Sequence, residues 1–234
     1  MISEMFAHGF IQRAFIGGVL VSLCAALLGV SLVLKRYSMI GDGLSHVSFG
    51  ALSIAIALGF APIKFSIPIV IIAAFFLLRL AENGKMKSDA AIAMVSASSL
   101  AIGVIVTSLT TGLSTDVCSY MFGSILAMSK DDVIFSVVLS VVVLIMFGFC
   151  YHRIFAVTFD ESFSKATGVK VGMYNTLISI FTAVTVVLGI KMMGAMLISS
   201  LIIFPALTSM RVFKSFLSVT ICSAILAVIN FTAG

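Results

Sequence analysis

The chain has 234 residues, of which 61% are hydrophobic and only 10% charged, far below the roughly 25% of an average soluble domain. A mean hydropathy of +1.27 excludes a water-soluble globule. The 14 Lys and Arg against 9 Asp and Glu give a net charge of +5, but they fall in short islands between apolar runs, which is not the basic stripe of a nucleic-acid binder.

At roughly 20 residues per membrane-spanning helix, the length accommodates about eight spans and no separate folded domain, so residues 1–234 are expected to form one transmembrane domain. The apolar runs predict helices over about 10–34, 43–61, 66–81, 90–109, 133–151, 174–190, 194–210 and 215–231. The first run is preceded by Glu4 instead of a basic segment and is too long for a secretory signal, so it is expected to remain as a span. Ile134–Phe149 is apolar at nearly every position, as a spanning helix requires, whereas a barrel strand would alternate. Cys118–Ser129 is apolar but too short to cross, and is expected to be re-entrant or interfacial. The cysteines at 24, 118, 150 and 222 form no C-x-x-C pair and read as small apolar fillers. Spacings such as Ala25-x-x-x-Gly29 and Ser99-x-x-x-Gly103 allow close helix packing. The expected fold is an all-α, polytopic membrane helix bundle with the short segment near 118–129 added.

Alternating spans with the 152–173 loop inside leave Lys35, Arg36, Arg79, Lys85, Lys87, Arg153, Lys165, Lys170, Arg211 and Lys214 on the cytoplasmic side. Arg13, Lys64, Lys130 and Lys191 fall outside, and the positive-inside rule favours this orientation. Five spans before that loop place the N-terminus outside; a crossing by 118–129 would place it inside.

Asp42 and His46 open the second span within Gly41-Asp42-Gly43-Leu44-Ser45-His46. On a helix, residues four apart share a face, about 5–6 Å apart at Cβ, so a carboxylate and an imidazole can reach one ion. This ligand pair suits Mn²⁺, Fe²⁺ or Zn²⁺ better than Cu⁺. The plainer reading makes Asp42 an N-cap bonded to the Ser45 amide. Against it, ionisable groups in spans mark ion or substrate pathways. Two donors are too few for a complete site, and a two-fold dimer would bring a second pair.

The longest hydrophilic stretch, His152–Lys170, carries the signals of a short capped helix over about 160–168: Asp160 as N-cap, Glu161 at the positive end, Lys165 at the negative end and Gly168 at the left-handed C′ position. Phe159, Phe163 and Ala166 would share a face that docks on a soluble partner or lies on the membrane. In the seventh span, Gly194, Ser199, Ser200 and Pro205 offer a structural kink or a hinge.

Taken in order, Gln12-Arg13-Ala14, Gly41 to His46, Phe122-Gly123-Ser124-Ile125-Leu126, Phe159-Asp160-Glu161 with Gly168, and Gly194 to Ala206 ending in Phe-Pro-Ala resemble the membrane permeases of bacterial ABC transporters that take up zinc, manganese or iron. The resemblance covers roughly residues 10–210. It implies a multi-pass permease of the bacterial cell membrane; most family members continue for another helix or so, whereas this sequence stops at Gly234. It further implies a homodimer or pseudo-dimer, a cytosolic ATPase subunit on each half, and a metal-loaded binding protein docking from outside. By that resemblance Asp42 and His46 fall on the metal-coordinating pair, and residues 160–168 on the coupling helix that sits in the ATPase. It also implies that no cofactor is held permanently and that the metal is cargo. The chain has no G-x-x-x-x-G-K-[ST] phosphate loop, so ATP hydrolysis is expected in the partner and not in this subunit. Two other readings are an ABC permease for iron-siderophore or cobalamin-like substrates, which would not depend on Asp42 or His46, and an ion-coupled carrier, whose paired repeats are not found here.

Overall fold

The computed structural model describes residues 9–37, 39–82, 88–110, 123 and 130–233. Among these residues the chain forms eight long helices and one short one: α1 Gly9–Leu34, α2 Ile40–Ala57, α3 Pro62–Glu82, α4 Ser88–Leu109, α5 Lys130–Phe159, α6 Glu161–Ala166, α7 Val171–Met193, α8 Ala195–Val212 and α9 Phe216–Ala233. Seven are long and apolar enough to cross a membrane, and α3 adds the shorter apolar stretch Pro62–Leu77. The all-helical bundle expected from the sequence is therefore present. Except for Gly123, the segment 118–129 lies outside the described residues, as do Lys85 and Lys87.

Burial sorts the helices into an inner and an outer set. The core is built mainly from apolar side chains of α1, α2, α3, α7 and α8, joined by Val143, Phe147 and Ile154 of α5, with α7 buried over most of its length, including Val186, Val187, Leu188 and Ile190. The outer helices turn large apolar side chains outward: Ile102 and Ile105 on α4, Ile145 and Phe149 on α5, Ile221 and Ile225 on α9. Such a surface would aggregate in water and is what a helix presents to lipid tails, where its backbone groups are already bonded internally.

Two helices meet at glycines. A Cβ on Gly50 would stand 2.8 Å from the Ser99 carbonyl oxygen, and one on Gly43 would stand 2.6 Å from Ile92 Cγ2, so α2 and α4 pack nearly backbone to backbone. This close packing holds the first half of α2 against α4.

The helix ends show which sides match. Leu34, Phe159, Met210, Phe213, Lys214, Phe216 and Val219 line one cavity of about 290 Å³, which joins the C-terminal ends of α1, α5 and α8 to the start of α9. Ile63, Lys64, Asp131 and Ile134 line another at the opposite end of α5. Lys35, Arg211 and Lys214 thus gather at one end of the bundle, which the positive-inside rule assigns to the cytoplasm.

Several boundaries differ from the sequence expectation. Helix α5 continues past 151 to Phe159, because Ile154 and Val157 behind the polar His152-Arg153 pair are fully buried. At about 1.5 Å per residue its 30 residues extend about 45 Å, beyond a hydrocarbon core of about 30 Å. Its end leads through Asp160 directly into α6. Gly194, expected as the first residue of the seventh span, instead joins α7 to α8 with φ 84° and ψ 163°. That backbone region is essentially restricted to glycine. Its neighbour across the fold is Gly123, whose Cβ position meets the Met193–Gly194 backbone.

Candidate functional site

Helix α2 starts at Ile40, so Asp42 stands within the first turn and is not the N-cap; that position belongs to Met39, which makes no side-chain cap. The Ser45 hydroxyl donates to the Asp42 backbone carbonyl at 2.7 Å, leaving the carboxylate out of the cap. As an acid in the first turn it sits favourably in the field of the helix N-terminus.

The burial pattern around the pair is the informative feature. From Ile40 to Ser53 every residue of α2 is buried except Asp42 and His46. The neighbours of Asp42 show why: Gly41 faces Ile202 of α8 and Gly43 faces Ile92 of α4, so packing closes both flanks and leaves one open stripe between them. On that stripe Asp42 Oδ2 lies 3.7 Å from His46 Nε2, with the side chains 46% and 27% exposed respectively. The gap is too wide for a hydrogen bond. With metal–ligand distances of about 2.0–2.2 Å, a small side-chain rotation lets both atoms reach one ion. Among the described residues no group of three or more His, Cys, Asp and Glu assembles. The chain's own offer is two donors with open coordination positions.

The short helix α6 is built as the sequence predicts. Asp160 takes an extended backbone and its carboxylate accepts from the Phe163 N–H at 2.9 Å. At the other end Gly168, at φ 80°, donates its N–H to Lys165, and the Val169 N–H reaches back to Ser164. A residue with a Cβ would be strained there. Phe163, Ala166 and Gly168 are exposed, Phe163 by 65%. Phe159 departs from the expected shared face. The extended Asp160 separates it from α6, so it closes α5 and packs its ring 4.9 Å from Phe155 and 6.1 Å from Phe216.

The opposite side of α6 is tied to the bundle. Lys35, directly after α1, donates from Nζ to Glu161 Oε1 at 2.7 Å and also to the Asn175 side-chain oxygen on α7. The Asn175 amide in turn donates to Glu161 Oε1 at 3.1 Å. Burial opposes the charge on Glu161, but the hydrogen bonds from Lys35 and Asn175 and the charges of Lys35 and Lys165 outweigh it and hold this carboxyl below its usual range. The Lys35 side chain is only 6% exposed, so its ammonium depends on these partners. Sequence reasoning counted Lys35 only as an inside charge and Glu161 only as a helix-end acid, and passed over Asn175. The available signal was an amide inside an apolar span, which needs a partner.

On α8, the Ser199 and Ser200 hydroxyls turn back to the carbonyls of Ala195 and Met196, and α8 runs continuously through Pro205. These groups are not brought to the Asp42–His46 stripe by any hydrogen bond of their own.

The fold and site define a multi-pass helical membrane protein with an ionisable stripe on the buried first part of α2 and a short capped helix between α5 and α7. A model of the ABC 3 transport family matches residues 7–234, and the chain belongs to that family. It is 30% identical over 221 residues to the high-affinity zinc uptake system membrane protein ZnuB of Buchnera aphidicola, covering 94% of this chain and 84% of that one. It is 28% identical over 217 residues to the manganese import system permease protein ScaB of Streptococcus gordonii, covering 93% and 78%. Among solved structures, PsaBC from Streptococcus pneumoniae in complex with Fab superposes with a TM-score of 0.84 at 27% identity, covering 98% of this chain and 84% of that one.

Proposed function

We propose that this chain is the permease subunit of an ATP-driven importer of divalent transition-metal ions, Mn²⁺ or Zn²⁺ and by donor chemistry also Fe²⁺, in a bacterial cell membrane. The observation that carries the reading is the Asp42–His46 stripe: the two residues of α2 left open between Ile40 and Ser53 are an acid and an imidazole at helical spacing. Ionisable groups facing lipid are costly, so this stripe faces the path of the ion or the partner protomer. A second copy related by a two-fold axis would place another Asp42–His46 pair opposite the first and complete a four-donor set. The names of the zinc and manganese relatives support metal as cargo.

Energy enters from outside the chain. A cytosolic ATPase subunit docks on the exposed Phe163–Gly168 side of α6, with Phe159 beside it at the end of α5, and a metal-loaded binding protein delivers from the other face. Closure of the ATPase pair displaces α6, and the bundle alternates the exposure of the metal pair. The Gly194 junction, with α8 and its Pro205 behind it, is the place where α7 and α8 can change their mutual angle. The direct test is co-purification. The ATPase subunit is expected to come down with the wild-type chain and to be lost with Phe163→Asp; retention by that variant would exclude docking on α6.

A further inference from the structure

We infer that the Lys35–Glu161 ion pair, braced by Asn175, is the contact through which movement of α6 reaches the Asp42–His46 pair. Resting on the permease reading above, it assigns Lys35, Glu161 and Asn175 a positioning role that neither the docking face nor the metal pair supplies.

The route is continuous in bonded groups. Chain connections join α6 to α5 and α7, whereas the 2.7 Å bond from Lys35 Nζ to Glu161 joins it to α1. Because the Lys35 side chain is nearly buried, separating the pair would strand an ammonium among poorly solvating groups. A displaced α6 therefore carries the end of α1 with it. From Lys35 the path runs through a turn in which five backbone amides are engaged. Lys35, Arg36 and Tyr37 donate to Ser31, Val33 and Leu32, the Ile40 N–H to Tyr37, and the Gly43 N–H to Met39. Arg36 takes the left-handed conformation at φ 62° to make this turn, a conformation that disfavours a side chain and is held by its surroundings. These bonds tie the end of α1 to the start of α2, and Asp42 lies in the first turn of α2. Asn175 anchors the same pair to α7, so the contact reports the position of α6 against the central helix as well.

A chain of contacts becomes a transmission path only when coupling across it is measured. The complete transporter, with its ATPase and binding protein, is placed in proteoliposomes, and zinc or manganese ions imported are counted per ATP hydrolysed. Wild type is compared with K35Q, E161Q and the exchange K35E/E161K, which keeps both charges beside an amide that can donate to one and accept from the other. The single variants are expected to import about tenfold less metal per ATP, the scale of an ordinary coupling between sites, and the exchange to recover most of that loss. A merely structural contact would lower the amount of assembled complex and leave the ratio unchanged. Single variants with the wild-type ratio, or an exchange no better than the singles, would overturn the inference while leaving the permease reading intact. If a single variant fails to assemble, the exchange decides by the same ratio. A wild-type complex that imports neither ion on ATP would overturn the permease reading itself and this inference with it.

Discussion

Replacing Asp42 by Asn separates transport from folding more sharply than any other single change. The carboxylate caps no helix, since Met39 holds the N-cap position and Ser45 bonds to the backbone carbonyl. The side chain is 46% exposed, and the amide matches it in size, so no cavity opens. The structural loss is limited to the interaction of one exposed charge with a helix N-terminus, about 0.3–1 kcal/mol. The functional loss is of another order. Altering a group that merely orients a metal ligand weakens binding by about 10–100-fold; removing one of the two donors this chain offers should do at least as much. Uptake of radiolabelled manganese or zinc at limiting concentration is therefore expected to fall by about 100-fold or more, with the amount of chain in the membrane and its co-purified ATPase unchanged. His46→Ala should behave in the same way. Wild-type uptake by both variants would refute the assignment of the pair; loss of the protein from the membrane would refute the argument that its charge is dispensable for folding.

Three further outcomes follow from the packing and the capped helix. Gly50→Val places a side chain against the Ser99 backbone oxygen, 2.8 Å from the ideal Cβ; overpacking of this kind costs about 1–3 kcal/mol, which should appear as a lowered melting temperature of the purified protein. Gly168→Ala forces a Cβ into the left-handed region at φ 80°, a strain of about 1–2 kcal/mol, and should raise amide exchange at Val169 and Gly168 while leaving α7 protected. For Glu161 the native carboxyl is held below its usual value. The stability it contributes is present above the unfolded-state value of about 4.3 and is lost as pH falls through the lower native value. Acid unfolding of E161Q should accordingly show a shallower loss of stability below about pH 4 than wild type; superimposable curves would contradict the contact.

The long apolar runs made the membrane helices legible because a spanning helix must be apolar almost throughout, and Ile134–Phe149 leaves little room for another reading. Helix ends were less legible. His152 and Arg153 look like the start of a loop, yet the burial of Ile154 and Val157 carries α5 on to Phe159. The capped helix at Asp160–Gly168 was readable because caps are local chemistry, and each predicted cap residue takes its place. The pairing of Asp42 with His46 was readable from their spacing. That they alone stay open over the first turns of α2 was not, since it depends on Ile92 and Ile202 arriving from distant helices. The Lys35–Glu161–Asn175 contact lay further out of reach, because it joins groups 126 and 140 positions apart.

Metal content of cells grown under metal limitation bears most directly on the central claim. Wild type, a deletion of this chain, and the deletion carrying Asp42→Asn are compared element by element. The account predicts a selective fall in manganese or zinc in the deletion, no recovery with Asp42→Asn, and full recovery with the wild-type chain. Unchanged transition-metal content in the deletion, in cells lacking any second importer, would contradict it.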